Sequence, residues 1–136
     1  DELRGGASGM GRRRDGVKYM ISLFDSGVIP DGGVELNDML ASGVMHAIQM
    51  HDYRIPEDIS VIGFDNSDDS QYLSPALTSI DPGLEAVARL SVKVLKERID
   101  GREPNGEHPG RKVFRKVSSS LVMRQSTKLP QESLVV

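Results

Sequence analysis

Two polar residues lie where an α/β sheet would present them to a ligand. Asn37 follows the short strand candidate 34–36, and Asp65 follows the β-branched, nearly all apolar segment 59–64. Ligands of open α/β sheets bind outside the carboxyl ends of the strands, so both side chains fall at a binding edge. An amide both donates and accepts hydrogen bonds, and a carboxylate accepts from two hydroxyls, which makes the pair suited to a neutral polyol.

A purely structural role for the same two residues is the alternative. Asn37 suits the N-terminal cap of a helix, where its side-chain oxygen accepts from an unpaired backbone N–H. Asp65 suits the start of a turn, because Asn and Asp side chains bond their own backbone there. Spacing alone leaves both roles open.

The sequence gives no support to catalysis or metal binding. It contains no Cys, which excludes a disulfide framework, a thiolate zinc site and a Cys nucleophile. The motifs GxSxG, GxxxxGKS/T, GxGxxG and HExxH are absent. His46 and His51 diverge around a helix, and the acidic cluster Asp65, Asp68 and Asp69 lacks the Gly and closing Glu of an EF-hand. We therefore expect a protein that is not an enzyme and uses no metal or cofactor.

Composition and charge limit the partners of this chain. Hydrophobic residues make up 38% and charged residues 27%, which is typical of a folded domain. No apolar run reaches the length of a membrane span, and the first six residues lack the apolar core of a signal peptide, so we expect no membrane partner. Residues 19–101 hold five basic and fourteen acidic residues, which excludes a DNA-binding face there. The basic run 12–14 is interpreted as a solvated helix start in preference to a nucleic-acid contact.

Hydrophobic periodicity predicts an alternation of helices and strands. Apolar stripes predict helices over 15–25, 38–51 and 83–99. Strands are predicted over 34–36, 59–64, 76–80, 113–117 and 120–123. Residues 30–33 are interpreted as a break before the first strand, and Asp81 and Pro82 as the cap and first residue of the third helix. The alternation predicts an α/β fold, with helices on the faces of a parallel sheet.

Four segments of the chain resemble the LacI/GalR family of transcription regulators. Residues 37–47 resemble its NDxxAxGxxxA segment, and residues 55–66 resemble its VPxDVSVVGFDD segment. Residues 75–80 resemble its PxLTTI segment, and residues 121–127 resemble its closing LVxRxST segment. Each segment is short, but their order and spacing extend the resemblance over nearly the whole chain.

The resemblance implies a periplasmic-binding-protein-like (type I) effector domain of two α/β lobes, which this chain supplies incompletely as a three-layer lobe on a parallel sheet. We divide the chain into a loop or disordered start at 1–14, the C-terminal portion of the effector-binding domain at 15–125 and a tail at 126–136. The implied function is that of a cytoplasmic, ligand-responsive transcription regulator. Operator DNA would be bound through a helix-turn-helix that is absent from this chain.

The resemblance also implies where the ligand and the second lobe lie. The family's ligand contacts carry over to Asn37 and Asp65, for a small molecule that is usually a sugar or a nucleobase-type metabolite and is expected to be sugar-like here. The family often has a ligand-contacting Gln where Pro82 stands, so that contact is lost or is made by Asp81. Helix 83–99 would belong to the other lobe, after a hinge near residues 80–81, so its apolar face would lack its usual cover.

The same resemblance implies a homodimer. The residues that match the family's dimer surface are Met39, Gly43, Ala47 and Met50 of the second helix, with Tyr72 in segment 71–75. The small residues Gly43 and Ala47 let another backbone approach closely, and a two-fold axis matches a palindromic operator. The alternative is that Met45 and Met50 simply fill the core.

Two other functions are compatible with the fold. An exported sugar-binding protein of the same fold would share an Asn and an Asp of this kind, although segments 55–66 and 121–127 are closer to those of the regulators. A catalytic α/β domain would need a nucleophile or a cofactor motif that the sequence lacks. The upstream reading frame discriminates the first two, because a regulator encodes a helix-turn-helix there and an exported protein a signal peptide.

Overall fold

The computed structural model of the protein describes residues 11–100 and 114–128. The helices in this part of the chain are α1 (Arg13–Asp25), α2 (Asp38–Met50) and α3 (Leu84–Ile99). The strands are β1 (Gly32–Val34), β2 (Ser60–Phe64), β3 (Thr78–Asp81) and β4 (Ser120–Val122), and a 3₁₀ helix, Asp68–Tyr72, lies between β2 and β3. The predicted α/β class is confirmed.

The strands form one sheet in the order β1-β2-β3-β4. Strand β2 lies inside the sheet and runs parallel to both neighbours, with Val61 opposite Gly33 and Gly63 opposite Ser79. Val61 and Gly63 are buried while Ile62 and Phe64 are half-buried, so one face of β2 is fully covered and the other only partly. The prediction of a parallel strand over 59–64 is confirmed, and the carboxyl ends of β1 and β2 meet at one edge.

Helices α1 and α2 pack closely because each contributes a glycine to their contact. A Cβ on Gly16 would collide with the carbonyl oxygen of Leu40, and a Cβ on Gly43 would collide with that of Arg13. The close backbone approach expected of the small residues in α2 is therefore made to α1 of the same chain.

The core lies between this helix pair and the sheet. Its buried apolar residues are Met20, Ala41, Val44, Met45, Ala47, Ile48, Ile55, Ile59, Val61 and Leu77. Met45 is 3% exposed and belongs to the core, whereas Met50 is 61% exposed and does not. The core-filler alternative therefore holds for Met45 alone.

Several predicted boundaries are wrong for physical reasons. Strand β1 includes Gly32 and Gly33 in place of the predicted break, because a Cβ at Gly32 would lie only 2.9 Å from the carbonyl oxygen of Ser60 on β2. The third helix is capped by Gly83, whose φ of +69° suits glycine, and neither Asp81 nor Pro82 holds the position predicted for it.

Both predicted ends of the domain also shift. Residues 13 and 14 belong to α1 and not to a starting loop, while residues 1–10 lie outside the described residues. Ser126 is fully buried, and Thr78 N–H donates to its Oγ at 2.8 Å, so the C-terminal tail cannot begin at residue 126. The predicted strand 113–117 is absent from the described residues 114–117, and residue 113 lies outside them.

The chain divides into two compact units. Among the described residues, the first comprises 11–80 and 121–128 and the second comprises 81–100 and 114–120, so the boundary falls at the predicted hinge position. The first unit contains α1, α2 and the buried core. In the second unit α3 has no buried residue, and a groove of about 650 Å³ lies along it, lined among others by Val87, Leu95 and Phe114.

Candidate functional site

One cavity of the first unit brings Asn37 and Asp65 together. It has a volume of about 210 Å³, and Arg13, Met39 and Asp69 are also among its lining residues. Both predicted residues reach it because β1 and β2 are parallel neighbours, so the segments that follow them emerge at the same edge. The cavity therefore presents an amide, carboxylates and a guanidinium within one small space.

Asn37 caps the N-terminus of α2, which confirms the structural role predicted as the alternative to ligand binding. Its Oδ1 accepts a hydrogen bond from Leu40 N–H at 2.7 Å, in extended backbone with φ −158°. The cap uses only the oxygen, which leaves the amide nitrogen as a donor. That nitrogen lies beside Gly11, where a Cβ would come within 2.5 Å of it. Capping and ligand binding are therefore compatible in this residue.

Asp65 follows β2 in a strained conformation. Its φ is +105° and that of Asn66 is +49°, a region that non-glycine residues adopt at a cost of about 1–3 kcal/mol. Asp65 N–H donates to Ile80 O at 3.0 Å, and Asn66 N–H donates to Ser79 Oγ at 3.0 Å, so β3 fixes this turn. A backbone held in this region by its surroundings is typical of functional positions.

A buried carboxylate that the sequence analysis missed lies directly behind this turn. Asp38 is 4% exposed, and its Oδ2 accepts from Ser67 N–H at 2.6 Å and from Ser70 Oγ at 2.5 Å. Its Oδ1 accepts from Ser79 Oγ at 2.6 Å. A Cβ on Gly63 would collide with that oxygen, so glycine in β2 makes room for the carboxylate.

Asp65 is an exposed residue, yet its surroundings act on its carboxyl group. Partial burial and, to a smaller extent, the negative charge of Asp38 raise the pKa of the Asp65 carboxyl above its usual value. Arg13 supplies a positive charge among the lining residues, and its Nε donates to Ser42 Oγ at 2.8 Å. The basic run therefore includes one residue with a fixed partner at the cavity, and not only a solvated helix start.

With this geometry, the chain can be compared with known proteins. The family of periplasmic binding protein-like domains matches residues 4–127. The chain belongs to this family. Among related sequences, the HTH-type transcriptional repressors PurR of Vibrio vulnificus and Aliivibrio salmonicida are 39% and 38% identical over 92 and 110 residues. These matches cover 68% and 81% of the chain, which spans only 26% and 30% of the two repressors.

Solved structures give the same relationship. A LacI-type transcription regulator from Bifidobacterium animalis subsp. lactis superposes with a TM-score of 0.79 at 38% identity, over 89% of this chain and 41% of that one. The lac repressor dimer bound to operator and the anti-inducer ONPF gives a TM-score of 0.76 at 28% identity, over 85% and 38% of the two chains. The chain is thus a part of a LacI/GalR-type effector domain.

The third ligand residue expected of this effector domain lies in the second unit. Asp81 ends β3, and its Oδ1 accepts from Gly83 N–H at 2.7 Å, which forms the turn that precedes α3. The structure thus gives Asp81 a local role in this turn. Its ligand contact stays a prediction.

The residues expected at the dimer surface of the effector domain fall into two groups. Met39, Met50 and Tyr72 are 56%, 61% and 76% exposed. Gly43 and Ala47 are buried, the first against α1 and the second in the core. Only the first group presents side chains that a second subunit can contact.

In the part of the chain that the structure describes, no three His, Cys, Asp or Glu residues are grouped as metal ligands. No helix of the described residues is long and apolar enough to span a bilayer.

Proposed function

We propose that this chain is the C-terminal part of the effector-binding domain of a ligand-responsive transcription repressor. The observation that carries the proposal is the cavity shared by Asn37 and Asp65, in a chain whose named relatives are repressors. Operator DNA would be bound through a helix-turn-helix outside this chain, because residues 19–101 are too acidic to face phosphates. A protein that binds an operator would act in the cytoplasm.

The effector that suits this cavity best is a sugar-like molecule. The Asn37 amide nitrogen can donate to a hydroxyl, and the Asp65 carboxylate can accept from two. The volume of the cavity, about 210 Å³, is smaller than the roughly 300–1,000 Å³ of a pocket that encloses a drug-sized ligand. The residues of this chain therefore surround only part of the effector. A nucleobase-type effector is the competing class, and it would need an aromatic or apolar surface for the flat ring.

A homodimer is part of the same proposal. Met39, Met50 and Tyr72 are large side chains that are exposed on α2 and the 3₁₀ helix, so a second subunit can contact them. The related lac repressor has been solved as a dimer. Light scattering of the full-length protein at micromolar concentration should give twice the subunit mass, and a monomer would refute this part.

Effector titration of the full-length protein tests the site. Calorimetry with D-galactose, D-ribose, lactose and hypoxanthine should detect binding of at least one sugar. Asp65→Ala removes a charge-assisted acceptor and should weaken that binding about ten- to a hundred-fold. Asn37→Ser keeps an oxygen for the helix cap but removes the amide donors, so it should weaken binding without destabilising α2.

Two controls make this experiment decisive. Asp58→Ala removes a half-buried carboxylate that is paired with Arg54 and lies outside the cavity residues, so it should leave affinity unchanged. If Asp65→Ala and Asn37→Ser both bind like the wild type, the two residues are structural and the site assignment is wrong. If the upstream reading frame encodes a signal peptide instead of a helix-turn-helix, the protein is an exported binding protein and not a repressor.

A further inference from the structure

We infer that Asp38 is a positioning residue that holds the turn after β2 so that Asp65 faces the ligand cavity. This inference rests on the proposed function, because it assigns Asp65 its ligand role and gives Asp38 the task of presenting it. Asp38 is also among the residues that line the cavity, but it is nearly fully buried and both of its oxygens accept hydrogen bonds from the chain itself, so we assign it to the turn and not to the ligand.

The three donors come from three different parts of the chain. Ser67 N–H belongs to the turn itself, Ser70 Oγ belongs to the 3₁₀ helix and Ser79 Oγ belongs to β3. One carboxylate thus ties the turn after β2 to the 3₁₀ helix and to β3. Ser70 Oγ also lies 2.9 Å from Ser67 Oγ, which adds a bond within the segment.

Neutral hydrogen-bond donors, and no positively charged side chain, surround the Asp38 carboxylate in these three contacts. Its hydrogen-bond donors are two hydroxyls and one backbone amide, all of them neutral. The residue is also the first of α2, where the positive end of the helix dipole stabilises an acid. Hydrogen bonds to an ionised acceptor are the stronger kind, so an uncharged replacement should loosen all three contacts at once.

The strain at Asp65 needs such a restraint. A non-glycine residue at φ +105° reverts to an ordinary conformation unless its surroundings fix it. On one side the turn is held by the bond from Asp65 N–H to Ile80 O, and on the other by Asp38 through Ser67. Loss of the Asp38 contacts would free the second side and let the Asp65 carboxylate turn away from the cavity.

Hydrogen exchange of the full-length protein tests the restraint without any effector. In Asp38→Asn, peptides from residues 65–70 should exchange about ten- to a hundred-fold faster, while peptides from α1 keep their wild-type rates. Ser70→Ala removes a single donor, and a smaller acceleration in the same peptides supports the inference. Val44→Ala is the matched control, since it destabilises the core and should accelerate exchange broadly.

Sugar affinity tests whether Asp38 acts through Asp65. With whichever of D-galactose, D-ribose and lactose binds the wild type, Asp38→Asn should lose about ten-fold or more in affinity. The double variant Asp38→Asn/Asp65→Ala should bind no more weakly than Asp65→Ala alone, because the positioned group is already gone.

Each outcome decides the question. Broad acceleration in Asp38→Asn that matches Val44→Ala would reduce Asp38 to a stability residue and overturn the inference. Additive affinity losses in the double variant would also overturn it, because Asp38 would then act independently of Asp65. If none of the sugars binds the wild type, the effector proposal fails, and the exchange rates still decide whether Asp38 holds the turn.

Discussion

Helices α2 and α3 each carry an apolar stripe, but their surroundings are opposite. Eight of the thirteen residues of α2 are buried, whereas none of the sixteen residues of α3 is. Ile48 of α2 is fully buried, while Leu95 and Ile99 of α3 are 60% and 75% exposed. An apolar stripe therefore shows which face of a helix needs cover, but it does not show whether this chain supplies that cover.

The stability of the two helices must accordingly have different sources. Packing against α1 and the sheet holds α2, whereas α3 depends on local terms such as the Glu85–Arg89 ion pair at 2.6 Å. Exposed pairs at this spacing contribute only about 0.3–0.5 kcal/mol each, and isolated helices of this length are marginal in water. The cover of α3 in the intact protein is expected from the lobe that this chain lacks.

The largest expected effect contrasts the two apolar faces. Ile48→Ala should lower the free energy of unfolding of the 136-residue chain by about 2–5 kcal/mol, because it leaves a cavity in the core. Leu95→Ala should change it by less than about 0.5 kcal/mol, because the side chain is already exposed. Urea unfolding followed by circular dichroism measures both. Equal losses would show that α3 is covered in solution and would break the comparison.

The next effect concerns Ser126, which anchors the C-terminal segment. Its Oγ accepts from Thr78 N–H at 2.8 Å and donates to Val61 O at 2.6 Å. Ser126→Ala should cost about 1–3 kcal/mol, because it leaves these buried backbone groups unsatisfied. Ser118→Ala, at an exposed position in the second unit, is the matched control and should have little effect. Equal urea midpoints for the two variants would show that Ser126 does not anchor the segment, and residue 126 would then belong to the predicted tail.

Sequence periodicity was sufficient where neighbours along the chain determine the structure. The stripe of α2, the Asn37 cap and the β-branched run of β2 are all local features, and the structure confirms each of them. Parallel pairing of β1 and β2 then places Asn37 and Asp65 at one edge, so the core of the candidate site could be predicted from strand order.

Long-range contacts explain what the sequence could not predict. The partners of Asp38 lie 29, 32 and 41 residues away, so nothing near Asp38 marks it as a buried acceptor. The Gly32–Gly33 pair looks like a chain break, although the close approach of Ser60 makes it part of β1. The apolar pattern of 113–117 predicted a strand, but β1 to β4 form the sheet without it.

The smallest expected effect is a difference in the pH dependence of stability between Asp58 and Asp65, which lie before and after β2. Arg54 donates to Asp58 from its backbone, from Nε at 2.9 Å and from its terminal nitrogen at 2.6 Å, which lowers the pKa of the Asp58 carboxyl to about 2. Burial raises the pKa of Asp65 instead. The ionised form of Asp58 therefore stabilises the fold, and that of Asp65 opposes it.

The two pKa shifts predict pH dependences of opposite sign. A lowered pKa contributes stability above the ordinary value of 3.8 that is lost as the pH falls toward 2, so Asp58→Asn should be less stable than the wild type at pH 7. A raised pKa contributes stability below 3.8 that is lost as the pH rises through the shifted value, so Asp65→Asn should be more stable at pH 7. Urea midpoints measured between pH 2 and 7 should show that the stability differences of Asp58→Asn and Asp65→Asn from the wild type both become smaller in acid. A neutral-pH loss in Asp65→Asn would mean that its charge supports the fold, and the strained turn would then be a structural feature and not a stability cost borne for ligand binding.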